Sequence, residues 1–538
     1  MKRLFFLSLL LSIFSLHADD LNPSFEEIKT MPSSYAKDYY IWRFLQEKET
    51  DKKEALNAYK WTKRKNAKLR KAIKKKVGFV PKKKPTTIKK NDSKNFIISA
   101  STAAKRSFRN LNKLKELYRK VRSKGKYSDV LKVITSRNPF KTLNTMPIKT
   151  QLYILNGVGS KYRKKHFNHQ LSKKQLLLFS NEKKFNQSIQ KIVTTHSLQK
   201  IKKSLVFNSS INKLNFEGNF LLAMNAIEFA QLNHAINFLS IARTKTTRQS
   251  KYDQVDFWLY LLTKHQGFLE KILTSSQINI YTLRAYDILK KPYPKVITPQ
   301  LKSRSIKDFN ISNPIDWEKI KKEMKKNPLT INSLANTYKS KETVGVYSYL
   351  KEKASKYTKI YYPLPYPNAM KDFTTERKAL IYAIARQESR FIPASVSPSY
   401  ALGMMQIMPF LIKHLSKERN EKMDLNKIFN PYIAISYGNQ HLDYLNKWLY
   451  HPLFVAYAYN GGIGFTKRHV LKTKHLFKKG KYEPFLSMEL IDYVESREYA
   501  KKVLANYVIY LNLLGKETTL SPLLNTLEYP SQTDRFRK

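Results

Sequence analysis

Apolar residues recur at intervals of three and four over much of this chain, the spacing that lines one face of a helix. Phe220, Ala223, Ile227 and Ala230 form one such line within 219–230, and Ala235, Phe238, Leu239 and Ala242 another within 234–245. The three residues between them suit an antiparallel helix pair. A further helix is predicted to begin at Asp256-Phe257-Trp258 and to run through Leu262. From about Asp20 to Tyr362 glycine is scarce and helix formers and aromatics are common. Successive helix hairpins are therefore expected to stack into a solenoid-like α-superhelix, each pair burying its apolar face on the next. No strict period appears, so no named repeat is assigned.

The pattern changes at Tyr362-Pro363-Leu364-Pro365-Tyr366-Pro367. Each proline restricts the residue before it, so this stretch is predicted extended, a hinge. Thr374 or Thr375 then caps a helix with Glu376 in its first turn. Leu380, Ile381, Ile384, Glu388 and Phe391 share one face of that helix, with Lys378, Tyr382, Arg386 and Arg390 on others, and Pro393 ends it. A helix from Asn430-Pro431 to about Trp448 has Ile435, Leu442 and Leu445 as its core, and Tyr493 to Tyr510 forms a last amphipathic helix. The fold class is all-α. The boundaries read 1–18, 19–361 (superhelix), 362–375 (hinge), 376–515 (a compact helical domain) and 516–538 (tail).

Composition supports a folded chain: of 538 residues 42% are hydrophobic, with 34 Tyr and 29 Phe. Lys2 and Arg3 precede an apolar run from Leu4 to Leu16, with Ala18 as the small residue before Asp19-Asp20. This reads as a secretory signal, too short to span a bilayer comfortably. With no cysteine in the chain, a lipoprotein anchor, disulfides and thiol chemistry are excluded. Net charge is +60, densest from Lys52 to Lys90 and otherwise spread along nearly every helix. Two readings stand together: attraction to an anionic wall polymer or a peripheral membrane contact, and a general basic bias on solvated faces. The secretory signal argues against nucleic acid.

Candidate chemistry centres on Glu388. A carboxylate in line with an apolar stripe loses water, which raises its pKa and leaves it a proton near neutral pH, as a general acid requires. The plainer reading is a helix-end glutamate paired with Arg386 or Arg390. A Ser- and Pro-rich loop follows (Ser395, Ser397, Pro398, Ser399), then an apolar run to Pro409 in which Gln406 alone offers both donor and acceptor. Acid, loop and apolar wall together suit a sugar, which needs hydrogen bonds and apolar contact at once. No HExxH, GxSxG or GxGxxG arrangement is present, and no cofactor or metal is expected.

Four strings then occur in order: Glu388-Ser389; Gly403-Met404-Met405-Gln406-Ile407-Met408-Pro409; Ala458-Tyr459-Asn460-Gly461-Gly462; and Glu495-Ser496-Arg497-Glu498-Tyr499. They resemble the four motifs of the soluble lytic transglycosylases, lysozyme-like enzymes that cleave peptidoglycan. The chain departs at Tyr400, where the family usually has Gly, and at Ile463 and Asp492, where it usually has Pro.

The resemblance implies a superhelical domain ahead of a lysozyme-like catalytic domain, a periplasmic location, and peptidoglycan glycan strands as partner, with proteins of wall synthesis or remodelling beside them. It implies Glu388 as the single acid and base. Ser389, Ser397, Gly403, Met405, Gln406, Met408, Tyr459, Asn460, Glu495 and Tyr499 would form the substrate site, with Glu495 and Arg497 supporting the cleft opposite Glu388. Two alternatives stay open. One is a hydrolase on the same scaffold, with water activated by Glu495 or Asp492. The other is a wall-binding scaffold without catalysis.

Overall fold

A computed structural model describes residues 22–81, 98–121, 128–207, 213–473 and 475–537. The predicted signal (1–18) and the lysine triplet 82–84 lie outside the described residues. Helices dominate, and pairing between extended segments is confined to isolated bridges such as Ile297 with Tyr361 and Leu402 with Ile407. Contacts group the described residues into two units, each discontinuous in sequence. The first takes the described residues up to 81 with Ile306–Asn327 and Ile392–Tyr437; the second takes the rest.

The second unit contains the predicted hairpins, with shifted ends. The first helix runs Phe216–Glu228, because Asn215 caps it by accepting a bond from the Gly218 amide. Phe220, Ala223 and Ile227 are buried, whereas Ala230 lies past the helix end, exposed, in the left-handed region at φ 54°. That residue turns the chain into the helix Leu232–Thr244, whose Ala235, Phe238, Leu239 and Ala242 are fully buried. The next helix is Gln249–Thr263, so Asp256 sits in its middle instead of opening it. Asp256 is buried there and accepts two bonds from Arg243, at 2.7 and 3.1 Å. A charged pair held across helices is invisible to a period-counting reading.

The stretch at 362–366 is non-helical as expected, with Tyr366 turned left-handed at φ 55°, but it is tied down and not a free hinge. Tyr362 is buried and donates to Asn506 Oδ1 at 2.9 Å, while the Pro363 and Pro365 carbonyls accept from the hydroxyls of Tyr510 and Tyr382. A short 3-10 turn, Pro367–Met370, leads to the helix Thr375–Ser389, which Thr374 caps by accepting from the Arg377 amide. This helix and Pro452–Gly461 both pack on the long helix Val494–Leu513. The long helix is buried nearly all round, not on one stripe.

In the first unit the helix Tyr35–Phe44 carries Tyr39 and Trp42 into a cluster with Tyr400. Tyr400 adopts φ 61° and is fully buried. A bulky residue in the left-handed region is costly unless packing holds it, and here two aromatic rings do. The resemblance placed its usual glycine at this position.

Candidate active site

Glu388 lies in the last turn of Thr375–Ser389. The helix stops at Ser389, short of Pro393, because Arg390 and Phe391 both turn left-handed, at φ 56° and 62°. Phe391 is therefore buried beyond the helix and not on its face. The two arginines flanking Glu388 do not neutralise it. Arg386 donates to Glu352 at 2.7 Å, with its guanidinium 4.1 Å from the Tyr362 ring centre, and Arg390 reaches the other Glu352 oxygen at 3.1 Å. The plainer reading of Glu388 as an ion-paired residue is thus corrected: its neighbours are spent on Glu352.

Glu388 instead accepts a hydrogen bond from the Tyr499 hydroxyl at 2.8 Å. Its edge opens on a cleft of about 330 Å³ lined by Gln387, Asn460, Val494, Glu495, Glu498, Tyr499 and Lys502. Removal from bulk water pushes its pKa up to about 8; the Tyr499 bond pulls it down and the nearby Glu495 charge raises it further. A carboxylic acid that keeps its proton near neutral pH and faces a cleft can protonate a bound group.

Two other carboxylates line this cleft. Glu495 accepts from the Tyr493 hydroxyl at 2.9 Å. For Glu498, burial opposes ionisation, but Lys501 at 3.1 Å, Lys251 at 3.5 Å and Arg497 outweigh it and hold the carboxyl below its usual range. Glu498 is thereby a fixed anion, whereas Glu388 retains a transferable proton. Asp492 lies outside the cleft lining and pairs with His469 at 3.1 Å.

The other predicted residues divide between the units. Tyr459 and Asn460 sit near the end of the helix Pro452–Gly461. The Tyr459 hydroxyl is held protonated by burial and by the Glu388 charge, and its ring lies 5.5 Å from that of His441. Asn460 Oδ1 accepts from the Ser496 hydroxyl at 2.6 Å. A side chain at Gly461 would meet Ser496 Oγ and the Phe465 ring at 2.7 Å, so that glycine serves helix packing. Ser389 Oγ bonds back to the Ala385 carbonyl of its own helix.

Arg497 does not line the cleft itself, but it pairs at 3.6 Å with Glu498, which does. It is buried, pairs with Glu217 at 3.0 Å and donates to the Glu489 and Ile491 carbonyls. Lys501, one turn on, donates to Glu489 at 2.9 Å. The residues that face Glu388 are Glu495, Glu498, Tyr499 and Lys502, spaced at three, four and seven on the same helix. Lys502 and Gln387 were missed; the spacing from Glu495 and Tyr499 was the available signal for Lys502.

Ser397, Gly403, Met405, Gln406 and Met408 belong to the first unit. There they form a loop folded by the bridges Val396 with Leu402 and Leu402 with Ile407. Ser397 Oγ accepts from the Ala401 amide at 2.8 Å. Gly403 adopts φ 76°, and an added Cβ would come within 2.5 Å of the Ile428 carbonyl oxygen. Gln406 donates to the Ser395 and Gly403 carbonyls at 3.1 and 2.8 Å, so both its N–H groups hold the loop and its acceptor oxygen is what it offers outward. Met405 is wholly buried, with no surface for a ligand, whereas Met408 is partly exposed ahead of the helix Pro409–Glu418.

Residues 366–481 match the family described as the transglycosylase SLT domain. The soluble lytic murein transglycosylase of Escherichia coli K12 is 30% identical over 165 residues, covering 30% of this chain and 25% of the relative. A putative soluble lytic murein transglycosylase of Haemophilus influenzae is 30% identical over 167 residues, covering 29% and 27%. The matches therefore span about a quarter of the length of these curated relatives. Among solved structures, the 70 kDa soluble lytic transglycosylase of Escherichia coli aligns over 94% of this chain and 84% of its own at 15% identity, with a TM-score of 0.45. The segment that matches the transglycosylase SLT domain runs from Tyr366 across Glu388, the glutamine-bearing loop and the Tyr459-Asn460 pair.

Proposed function

We propose that this protein is a lytic transglycosylase that cleaves the β-1,4 bond between N-acetylmuramic acid and N-acetylglucosamine in peptidoglycan, in the periplasm. The observation that carries the reading is Glu388, which lies in the matched segment, is buried so that its pKa is raised, accepts from Tyr499 and faces a cleft. Relatives named as murein transglycosylases are 30% identical to this chain over 165 and 167 residues.

In the proposed reaction Glu388 donates its proton to the glycosidic oxygen as the bond to the muramic anomeric carbon breaks. The substrate's own N-acetyl group stabilises that carbon, so a second protein carboxylate is not needed. Glu388, now an anion held by the Tyr499 hydroxyl, takes the proton from the muramic C6 hydroxyl. The C6 oxygen closes on the anomeric carbon to give a 1,6-anhydro end, and no water is consumed. Tyr499 suits this cycle because its bond strengthens as Glu388 becomes charged. Asn460 and Tyr459 are the residues proposed to hold the sugar beside Glu388.

The test is mass spectrometry of products from purified protein and peptidoglycan, beside Glu388→Gln. Anhydro ends from the wild type alone support the proposal. Fragments heavier by one water would point to hydrolysis, with Glu495 as the carboxylate to examine. Release by the Gln variant would remove Glu388 from the mechanism.

A further inference from the structure

A second concavity, of about 710 Å³, lies wholly within the first unit. It is bounded by the end of the helix Tyr35–Phe44 with the turn after it, by the helix Ala67–Val77, and by the start of Pro409–Glu418. Six lysines line it, Lys48, Lys68, Lys71, Lys75, Lys76 and Lys413, against one carboxylate, Glu47. The helix Ala67–Val77 buries Leu69, Ala72 and Ile73, which turns Lys68, Lys71 and Lys75 together along the adjoining face. None of the six lysines forms an ion pair with a described residue. The bonds they make go to carbonyls: Lys68 to Ser399, Lys76 to Glu47 and Lys48.

Aromatic rings stand beside this charge. Trp42 and Phe410 line the groove, and Lys68 lies 5.9 and 5.6 Å from the ring centres of Trp42 and Tyr400. Phe410 is 68% exposed and Phe79, two residues beyond the lysine helix, is 55% exposed. Clustered lysines are drawn to anionic lipid head groups, and protruding rings settle at the boundary between head groups and acyl chains. An acidic polypeptide would neutralise the lysines and leave these rings in water. We propose that this groove and its rim dock the protein on an anionic phospholipid surface, with head-group phosphates among the lysines and Phe410 inserted at the interface.

Co-sedimentation of the purified protein with vesicles tests this without recourse to catalysis. Vesicles of phosphatidylcholine alone are compared with vesicles that also contain phosphatidylglycerol, at physiological salt. Lys71 and Lys75 are exposed, so Lys71→Glu with Lys75→Glu leaves the fold intact, which an unchanged melting temperature verifies. That pair should lower binding to the anionic vesicles about tenfold or more, since each lysine near the surface adds several-fold. Phe410→Ser should lower it several-fold with little change in salt dependence. The control is Lys173→Glu with Lys174→Glu, exposed positions of the second unit, which should bind like the wild type. Equal loss in that control would overturn the proposal in favour of general adhesion by a chain of net charge +60. So would failure of the wild type to bind anionic vesicles, or capture of polyglutamate through the same lysines without vesicle binding.

Discussion

The Tyr499 hydroxyl donates to Glu388 Oε1 at 2.8 Å, and no cation of the described residues pairs with that carboxylate. The hydrogen bond stabilises the anion, while burial and the Glu495 charge stabilise the acid. Burial wins, and Glu388 keeps its proton to about pH 8.

Turnover should therefore fall on the alkaline side as Glu388 loses its proton near pH 8. Tyr499→Phe removes a bond to the anion, so its alkaline limb should move to higher pH, with a lower maximum rate. Glu495→Gln removes a repelling charge, so its limb should move to lower pH. Rate profiles of the three proteins on peptidoglycan check both signs. Shifts in the same direction would contradict the assigned causes.

Stability should show the same group from the other side. The folded-state pKa of Glu388 is raised above its ordinary 4.5, so the proton it binds stabilises the fold. That contribution is fully present below the unfolded value and is lost as pH rises through about 8. Glu388→Gln does not titrate. Its melting temperature should match the wild type at acidic pH, exceed it increasingly between pH 4.5 and 8, and keep a constant lead above.

Glu352 is the counter-ion of both Arg386 and Arg390, and it and Arg386 are buried. Glu352→Gln leaves two guanidinium groups without their carboxylate. The expected cost is about 3–5 kcal/mol in urea unfolding, as for other buried pairs broken on one side. The double variant Glu352→Leu with Arg386→Met should lose less than Glu352→Gln alone.

Gly403→Ala is expected to destabilise by about 2 kcal/mol or more, since it strains a left-handed backbone and drives Cβ against the Ile428 carbonyl. Thermal melting measures this directly, and a neutral outcome would contradict the close approach.

Much of this protein is carried by local information. Helical character, the Thr374 cap, the burial of Ile381 and Ile384, and the candidate acid follow from residues near one another in sequence, because period, capping and proline effects act over a few residues. The four motif strings are local too, and family resemblance alone joined them.

Partner choice was decided only by the tertiary structure. Arg386 and Arg390 stand two residues from Glu388, yet side chains two apart point away from each other on a helix. Both instead meet Glu352, a residue distant in the chain. Arg497 likewise meets Glu217, far off in the chain, and Ala230, Arg390 and Phe391 end helices by backbone turns that no period foretells. The lysine groove is the extreme case. The +60 charge is densest from Lys52 to Lys90 in sequence, but only folding set Trp42 and six lysines beside Phe410. Ion pairing, desolvation and exposure depend on distances through space, and those are set when the helices pack.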